Sequence, residues 1–538
     1  MKGKTTAIRE KQKGEDIYNR YKFYFLGGAL LLILTILVIK IICNSYTYEM
    51  NHAYTADAPM YWTVGRGILN GIKPYSGLYE NKPVGVFLIS ALSMLLTDEI
   101  ILCDAFCLFC LILIGFMPAV FTGLYWWNHC KRNGKESLLL CVGFALIQGF
   151  LLMLYCEERS GGFQVESMGA ALTGLYFLAA AQIQASKVCG RKKMIIWMVI
   201  SAFFVMCGVM MKEPFVLLMI SGSLLFTDCI QDIIRKTVIP ICLGGIMTVL
   251  LLAVSGILPE YFQIYLKNML GSHINIYGSP FRRALNFNLV LDDIRNFSEV
   301  LLILIGFSLL IYVLNVCFYK NSSIKLRIWK LLTILIAIFC ASFAVGLGGQ
   351  YYNHHYIFAA PLYLLFMVKG CQVCADLCKD NNKIIIFALN FALLISLGRM
   401  TNLPFGGDYT EKYYDMVKKA EYADALLDYY GEDTFQFLGF NGENNFLGLL
   451  KHSPQGPLFV QDPNNFMDES SWASTNLLEQ LDRTNIVIVD SINIPAINDK
   501  VTNILNTQFT TVPAREFTEV EKPESFTYQI YYRIEWEK

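Results

Sequence analysis

Residues 51–92 read NHAYTADAPMYWTVGRGILNGIKPYSGLYENKPVGVFLISAL. The stretch starts polar, with one carboxylate, Asp57, among aromatic residues that include Tyr54 and Tyr61. It passes through an amphipathic segment (YWTVGRGILNGI) and ends on Tyr79-Glu80-Asn81-Lys82-Pro83, where an apolar run begins. Upstream lies another apolar run, Tyr24–Cys43, preceded by Lys2, Lys4, Arg9, Lys11, Lys13, Arg20 and Lys22. That run is too long for the apolar region of a signal peptide, and no small-x-small cleavage site follows it. It reads as a retained anchor whose basic N-terminal tail stays in the cytoplasm. Residues 44–83 then form the first outer loop of a polytopic membrane protein.

Composition agrees. Of 538 residues, 55% are hydrophobic and 16% charged, against about 25% charged in soluble domains. Lys+Arg and Asp+Glu balance at 44 each, so charge points to no nucleic-acid partner. Apolar runs place candidate spans at 23–43, 84–97, 100–126, 137–155, 167–185, 194–211, 214–227, 237–257, 298–318, 331–348, 355–370 and 383–399. Several are shorter than the ~20 residues that cross a hydrocarbon core upright. Short basic loops at Lys131/Arg132/Lys135, Lys187/Arg191/Lys192/Lys193, Arg235/Lys236, Lys320/Lys325/Arg327/Lys330 and Lys379/Lys383 belong in the cytoplasm. Segments 44–83, 156–166, 259–297, 349–354 and everything after residue 400 then face the opposite side. Placing residues 22 and 131 on one side needs an even number of crossings between them, yet three runs intervene. Either a hairpin in 84–126 fails to cross or the loop at 131 is mis-sided. An inside N-terminus with an outside C-terminus needs an odd total, which favours 11 or 13 spans over 12.

Segments 44–83 and 259–297 both look like interfacial helices lying on the outer leaflet. Past Gly398 the pattern turns soluble. Helix-like 408–430, 472–483 and 494–507 alternate with strand-like 434–440, 457–461 and 485–490, and FTYQIYYRIEW closes the chain. This predicts a small extracytoplasmic α/β domain, without a Gly-rich phosphate loop. The expected organisation is a cytoplasmic tail 1–22, a membrane domain 23–399 and a soluble domain 400–538. Of the sixteen cysteines, Cys103, Cys107, Cys110, Cys141, Cys207, Cys242 and Cys340 lie in apolar runs and none follows residue 400, so no disulfide framework is read. Cys371, Cys374 and Cys378 lack a second ligand set for zinc.

The 51–92 stretch closely resembles the first outer loop of membrane glycosyltransferases of the GT-C fold, in particular the protein-O-mannosyltransferase and aminoarabinose-transferase branch (the GT39/GT83-like group). In that group an acidic residue after the first span is followed by Tyr, a Gly-rich helix, a Pro-Tyr pair and a Glu-Lys-Pro-Pro-like start of span two. Glu158-Arg159-Ser160-Gly161-Gly162 with Glu166 resembles the second outer loop. Lys212-Glu213-Pro214 resembles a Lys-Gly-Pro turn, and Gln350-Tyr351-Tyr352-Asn353-His354-His355-Tyr356 with Pro361 resembles the start of a late span. Order and spacing match over about residues 20–400. Asp57-Ala58 stands where the group often has Asp-Glu, Pro83-Val84 where it has Pro-Pro, and Gln350 where it has Arg, which puts a phosphate role for position 350 in doubt.

The resemblance implies transfer of a sugar from a polyprenyl-phosphate donor to an acceptor hydroxyl of a lipid glycan, cell-surface polymer or protein. A phosphate leaving group is a weak base and needs charge neutralisation, whereas the acceptor hydroxyl needs a general base. One carboxylate plus cationic clamps is the minimal kit. The resemblance assigns Asp57 as base, Lys82 as contact to the lipid phosphate and Arg159 as second clamp. Glu158, Glu166, Tyr351 and His354 complete the substrate-binding set. Two adjacent histidines cannot share a helix face, so at most one of His354 and His355 would point into a site. No metal is assigned, because Lys and Arg clamps make one unnecessary; a divalent cation is compatible with them. The competing reading is a transporter or flippase, which would carry ionisable residues near the bilayer midplane. The spans read as nearly free of Asp, Glu, Lys and Arg apart from Asp104 and the Lys212-Glu213 pair.

Overall fold

The computed structural model describes residues 58–97, 101–129, 135–160, 163–270, 279–318, 323–349, 351–377, 410–439, 445–457, 471–490, 499–513 and 515–534, with a few isolated positions besides. Asp57, Gln350, the tail 1–22 and nearly all of the runs 23–43 and 383–399 lie outside the described residues.

The apolar runs are helices. In hydrocarbon every backbone N–H and C=O must be satisfied within its own segment, and a helix does that. In chain order they are α1 Ala58–Leu69, α2 Val84–Thr97, α3 Ile101–His129, α4 Lys135–Ser160, α5 Val165–Cys189, α6 Arg191–Met211, α7 Phe215–Leu224, α8 Ile230–Val254, α9 Phe287–Phe297, α10 Glu299–Phe318, α11 Ile324–Gly346 and α12 Asn353–Leu377. Eight of them are long and apolar enough to cross a membrane, and α2 and α7 are shorter apolar helices. The chain is a multi-pass membrane protein. Ile195, Ile196 and Val199 on α6 and Ile303 and Leu310 on α10 are exposed apolar side chains, as expected where lipid is the solvent. Small residues let the helices approach closely. A Cβ on Gly149 of α4 would sit 2.0 Å from the Gly115 carbonyl oxygen of α3.

Within 84–126, α2 is the arm that falls short of a crossing. Fourteen residues rise about 21 Å, short of a hydrocarbon core of about 30 Å. Cys103, in the first turn of α3, lies 3.8 Å from the Ile89 carbonyl, so α2 meets α3 near α3's start and does not reach the end where His129 lies. α7, at ten residues, is shorter still, so eight of the ten described runs are long enough to cross, while 23–43 and 383–399 lie almost wholly outside the described residues.

The soluble part follows the predicted alternation. It comprises α13 Thr410–Tyr430, α14 Trp472–Leu481 and α15 Asp499–Gln508, with β2 Thr434–Leu438, β3 Ser453–Pro457, β4 Ile486–Val489, β5 Phe509–Thr510 and β6 Gln529–Arg533. A strand covers 453–457, and residues 458–461 of the one expected at 457–461 lie outside the described residues. Its Gly456, at φ +94°, is compatible with a strand here because it approaches Gln436 and bonds to the membrane-side loop. That loop contributes the sheet's first strand, β1 Leu78–Tyr79, parallel to β3 with Leu78 opposite Gly456. The six-stranded order is β1-β3-β2-β4-β6-β5, and the last two strands are antiparallel to their neighbours.

Two expectations need correction. The α1 stretch does not lie on a leaflet surface: Tyr61 and Trp62 are fully buried, and a Cβ on Gly448 would sit 3.0 Å from the Pro59 Cα. The soluble domain covers it, because its apolar face is wide enough to be claimed from both sides. Nor are the helices nearly free of charge. Asp232 and Lys236 are buried in α8 and paired at 3.4 Å, and Lys369 lies within α12. Long apolar flanks hide single charges from a composition window.

Candidate active site

Glu166 opens α5, one residue after Val165. Its side chain is fully buried, and Oε1 accepts from Lys212 Nζ. Lys212 caps the end of α6, where its own N–H reaches the Gly208 carbonyl. The turn Lys212-Glu213-Pro214 therefore carries its ammonium to the start of α5. Removing either partner would leave an unpaired buried charge, at about 3–5 kcal/mol.

His354 and His355 approach the same carboxylate. Each of Glu166, His354 and His355 offers a ligand atom, and these atoms lie within 4.8 Å of one another. The expectation that only one histidine could face a site is overturned. Residues 353–359 wind as a 3-10 helix, and the two rings stand at 81° with centroids 4.5 Å apart. A Cβ on Gly348 would come within 2.9 Å of the His355 ring, so the glycine makes room for it. One carboxylate with two imidazoles is a donor set suited to a divalent transition metal, and Glu166 Oε2 is buried without a hydrogen-bond partner. Lys212 competes for that carboxylate.

Lys82 enters from the loop before α2. It is buried rather than snorkelling, 3.6 Å from Glu80 Oε1, bonded to Asn81 Oδ1 at 3.1 Å, and 5.6 Å from the Tyr61 ring centroid. Its charge acts on Glu166 together with those of Lys212 and His354. Tyr75 fixes the loop. Its hydroxyl donates to the Lys82 carbonyl at 2.9 Å while its backbone sits at φ +70°, a left-handed conformation that a bulky residue adopts only when surrounding contacts enforce it. The enforcing contacts are Tyr265, stacked at 5.0 Å, and Tyr261 at 6.2 Å. Tyr261 donates to Glu213 Oε1 at 2.8 Å. Burial pushes the Glu213 carboxyl above the usual carboxylate range, against the opposing tyrosine hydrogen bonds and the Lys212 charge.

Arg159 and Glu158 form a second cluster. Arg159 Nε lies 2.9 Å from Asp293 Oδ1 and Nη1 lies 3.0 Å from Glu158 Oε1, with the guanidinium over the Tyr155 ring at 5.6 Å. Tyr155 donates to Asp293 Oδ2 at 2.7 Å. The Arg159 charge is thus balanced within its own cluster, and the cation joined to Glu166 is Lys212. Tyr351, at φ +50°, donates to the Arg283 carbonyl and accepts from Asn286 Nδ2, both at 3.0 Å. It anchors the 280–286 segment. Lys212, Glu213, His355, Asp293 and the Tyr75–Tyr261–Tyr265 group were not among the expected site residues; a charged pair flanked by apolar runs at 212–213 was their visible signal.

The chain matches no protein-family profile and no curated protein sequence. Among solved structures it is similar to ArnT from Cupriavidus metallidurans bound to undecaprenyl phosphate, at 10% identity and TM-score 0.49, covering 94% of this chain and 98% of that one. It is also similar to the archaeal oligosaccharyltransferase AglB from Archaeoglobus fulgidus, in complex with an inhibitory peptide and a dolichol-phosphate, at 11% identity and TM-score 0.38, covering 86% and 70%.

Proposed function

We propose that this protein is a membrane glycosyltransferase of GT-C type that moves a sugar from a polyprenyl-phosphate donor to an acceptor hydroxyl. One observation carries the reading. Lys82, Glu166, Lys212 and His354, drawn from four motifs scattered between residues 79 and 356, converge at one end of the bundle. Lys193, Lys236 and Lys330, described members of the basic loops, gather towards the other end, which supports an extracytoplasmic site. In this reading Lys82 faces the donor phosphate, with Lys212 held in place by Glu166 as a second cation. Asp57 takes the acceptor hydroxyl proton as the acceptor oxygen bonds to the sugar's anomeric carbon. The bond from that carbon to the phosphate oxygen breaks, and the phosphate departs as the anion, needing no proton. The soluble domain, welded to the 58–79 loop, is the acceptor-facing module. A divalent cation held by Glu166, His354 and His355 would add positive charge beside the donor.

The test is transfer of labelled sugar from polyprenyl phosphate by purified protein. Asp57→Asn is expected to lower the rate by about 10²–10⁴-fold with insertion intact; undiminished transfer by that variant sinks the assignment. A flippase would instead move intact donor between leaflets with no new glycosidic bond, which the same labelled lipid reports.

A further inference from the structure

We infer that the end of the bundle opposite Glu166 holds a second site, built to bind a phosphate group presented by a membrane lipid. A cavity of about 790 Å³ lies there, lined by Lys193, Lys330 and Lys369 with Gln182 and Gln372. A smaller one of about 220 Å³ shares Tyr125, Leu225, Lys330, Lys369 and Gln372 with it. The two meet at Lys369. Along α5, sixteen residues separate Glu166 from Gln182, about 24 Å at 1.5 Å per residue. This approaches the thickness of a hydrocarbon core, so the two sites stand at the levels of opposite leaflets.

Lys330, Lys236 and Asp376, near Lys369, each have a partner of their own. Lys330 Nζ lies 2.7 Å from Asp228 and donates to the Thr227 carbonyl at 2.8 Å. Lys236 pairs with Asp232. Asp376 accepts from the Tyr125 hydroxyl at 2.8 Å. Lys369 is different. Among the described residues it makes no hydrogen bond or salt bridge; its ammonium rests on the faces of Phe226, at 4.2 Å, and Tyr312, at 5.9 Å. An ammonium carries three donors, and leaving them without acceptors away from water is costly. A phosphate oxygen seated in the cavity, with Gln372 beside it, supplies what the protein does not. The rest of the wall carries Tyr125, Asn128, Gln184 and Asp228, the last paired with Lys330, and an apolar side that includes Phe121, Leu178 and Trp197. Trp197 and Lys193 belong to α6, whose exposed Ile195, Ile196 and Val199 put the cavity next to a lipid-facing surface. An apolar side next to three lysines suits an acyl chain that ends in phosphate.

Free phosphate shares the headgroup chemistry, and the experiment separates the two sources. Full-length protein in phosphatidylcholine nanodiscs is doped with photo-crosslinkable phosphatidic acid or with diacylglycerol bearing the same tails, and adducts are mapped by mass spectrometry. Phosphatidic acid should label peptides covering 121–128, 178–185 or 369–376 about tenfold above diacylglycerol, the effect of one charge-assisted hydrogen bond. Lys369→Gln should remove that excess and Lys369→Arg restore it. Loss of the excess on adding millimolar inorganic phosphate assigns the site to free phosphate; its persistence assigns it to lipid. Equal labelling by the two lipids, read on unaltered protein, overturns the proposal, as does a well-folded Lys369→Gln protein labelled as strongly as the parent. The readout is labelling rather than sugar transfer, so it stands or falls apart from the transferase reading.

Discussion

Glu166 and Lys369 sit towards opposite ends of one bundle, and their surroundings differ. Glu166 is fully enclosed, with Lys212 on one oxygen and Lys82, His354 and His355 close by. The soluble domain is stitched to the loops at that end through β1, through Asn476 Nδ2 donating to the Ser76 carbonyl at 2.8 Å, and through Trp472 against Tyr79 at 4.8 Å. Lys369 has aromatic faces, a cavity and neighbours with partners of their own. Fixed, mutually compensated charge is what a reaction centre needs, because groups positioned in advance do not have to reorganise when charge develops. A cation beside a cavity, with no hydrogen bond or salt bridge of its own among the described residues, is what a binding site needs.

Experiments can break that contrast. Lys212→Met should be the harshest, lowering stability by about 3–5 kcal/mol as Glu166 is left charged and buried; Glu166→Gln combined with it should recover much of the loss in a thermal-unfolding series. A Lys212→Met protein as stable as its parent would mean that the Glu166 end is not charge-locked. Gly149→Ala tests the scaffold common to both ends: with Gly115 oxygen 2.0 Å from the new Cβ, overpacking should cost about 1–3 kcal/mol, while Gly245→Ala, with open space at its Cβ, should be nearly neutral. Lys82→Ala should raise the donor KM about tenfold, one charge-assisted contact, with kcat little changed. An unchanged KM removes Lys82 from the donor phosphate.

The smallest effect concerns the covering domain. His452 has its proton affinity raised first by the hydrogen bond to Asp424 at 2.8 Å and further by the Asp424 and Asp428 charges, against the cost of burial. Its folded value lies above the unfolded one near 6.5, so its contribution is complete below that pH and is lost as pH rises through the folded value. Unfolding followed from pH 6 to 8 should show a loss of about 1 kcal/mol, the charged-hydrogen-bond range discounted for partial exposure, and His452→Gln should flatten that slope.

Much of this was legible in the chain. Ten of the twelve apolar runs are helices at the expected places, and the soluble elements alternate as read, except that β3 starts four residues early. Lys82, Glu166 and His354 were picked out singly. Asp57 and Gln350 lie outside the described residues. What escaped was company: Asp293 for Arg159, Lys212 for Glu166, and a second histidine beside the first.

Apolar runs, basic loops and the α/β tail were settled by sequence because each reflects a local sum, the transfer free energy of some twenty neighbouring side chains or the period of a short amphipathic stretch. Which charges meet was settled only in three dimensions. That outcome depends on how far helices rotate and how closely they cross, set by contacts such as Gly115 against Gly149, and on a strand at 78–79 finding its partner at 456–457. No window along the chain contains both halves of such a contact. The same limit hid Lys369, whose lack of a hydrogen bond or salt bridge among the described residues becomes visible only when its neighbours have been placed.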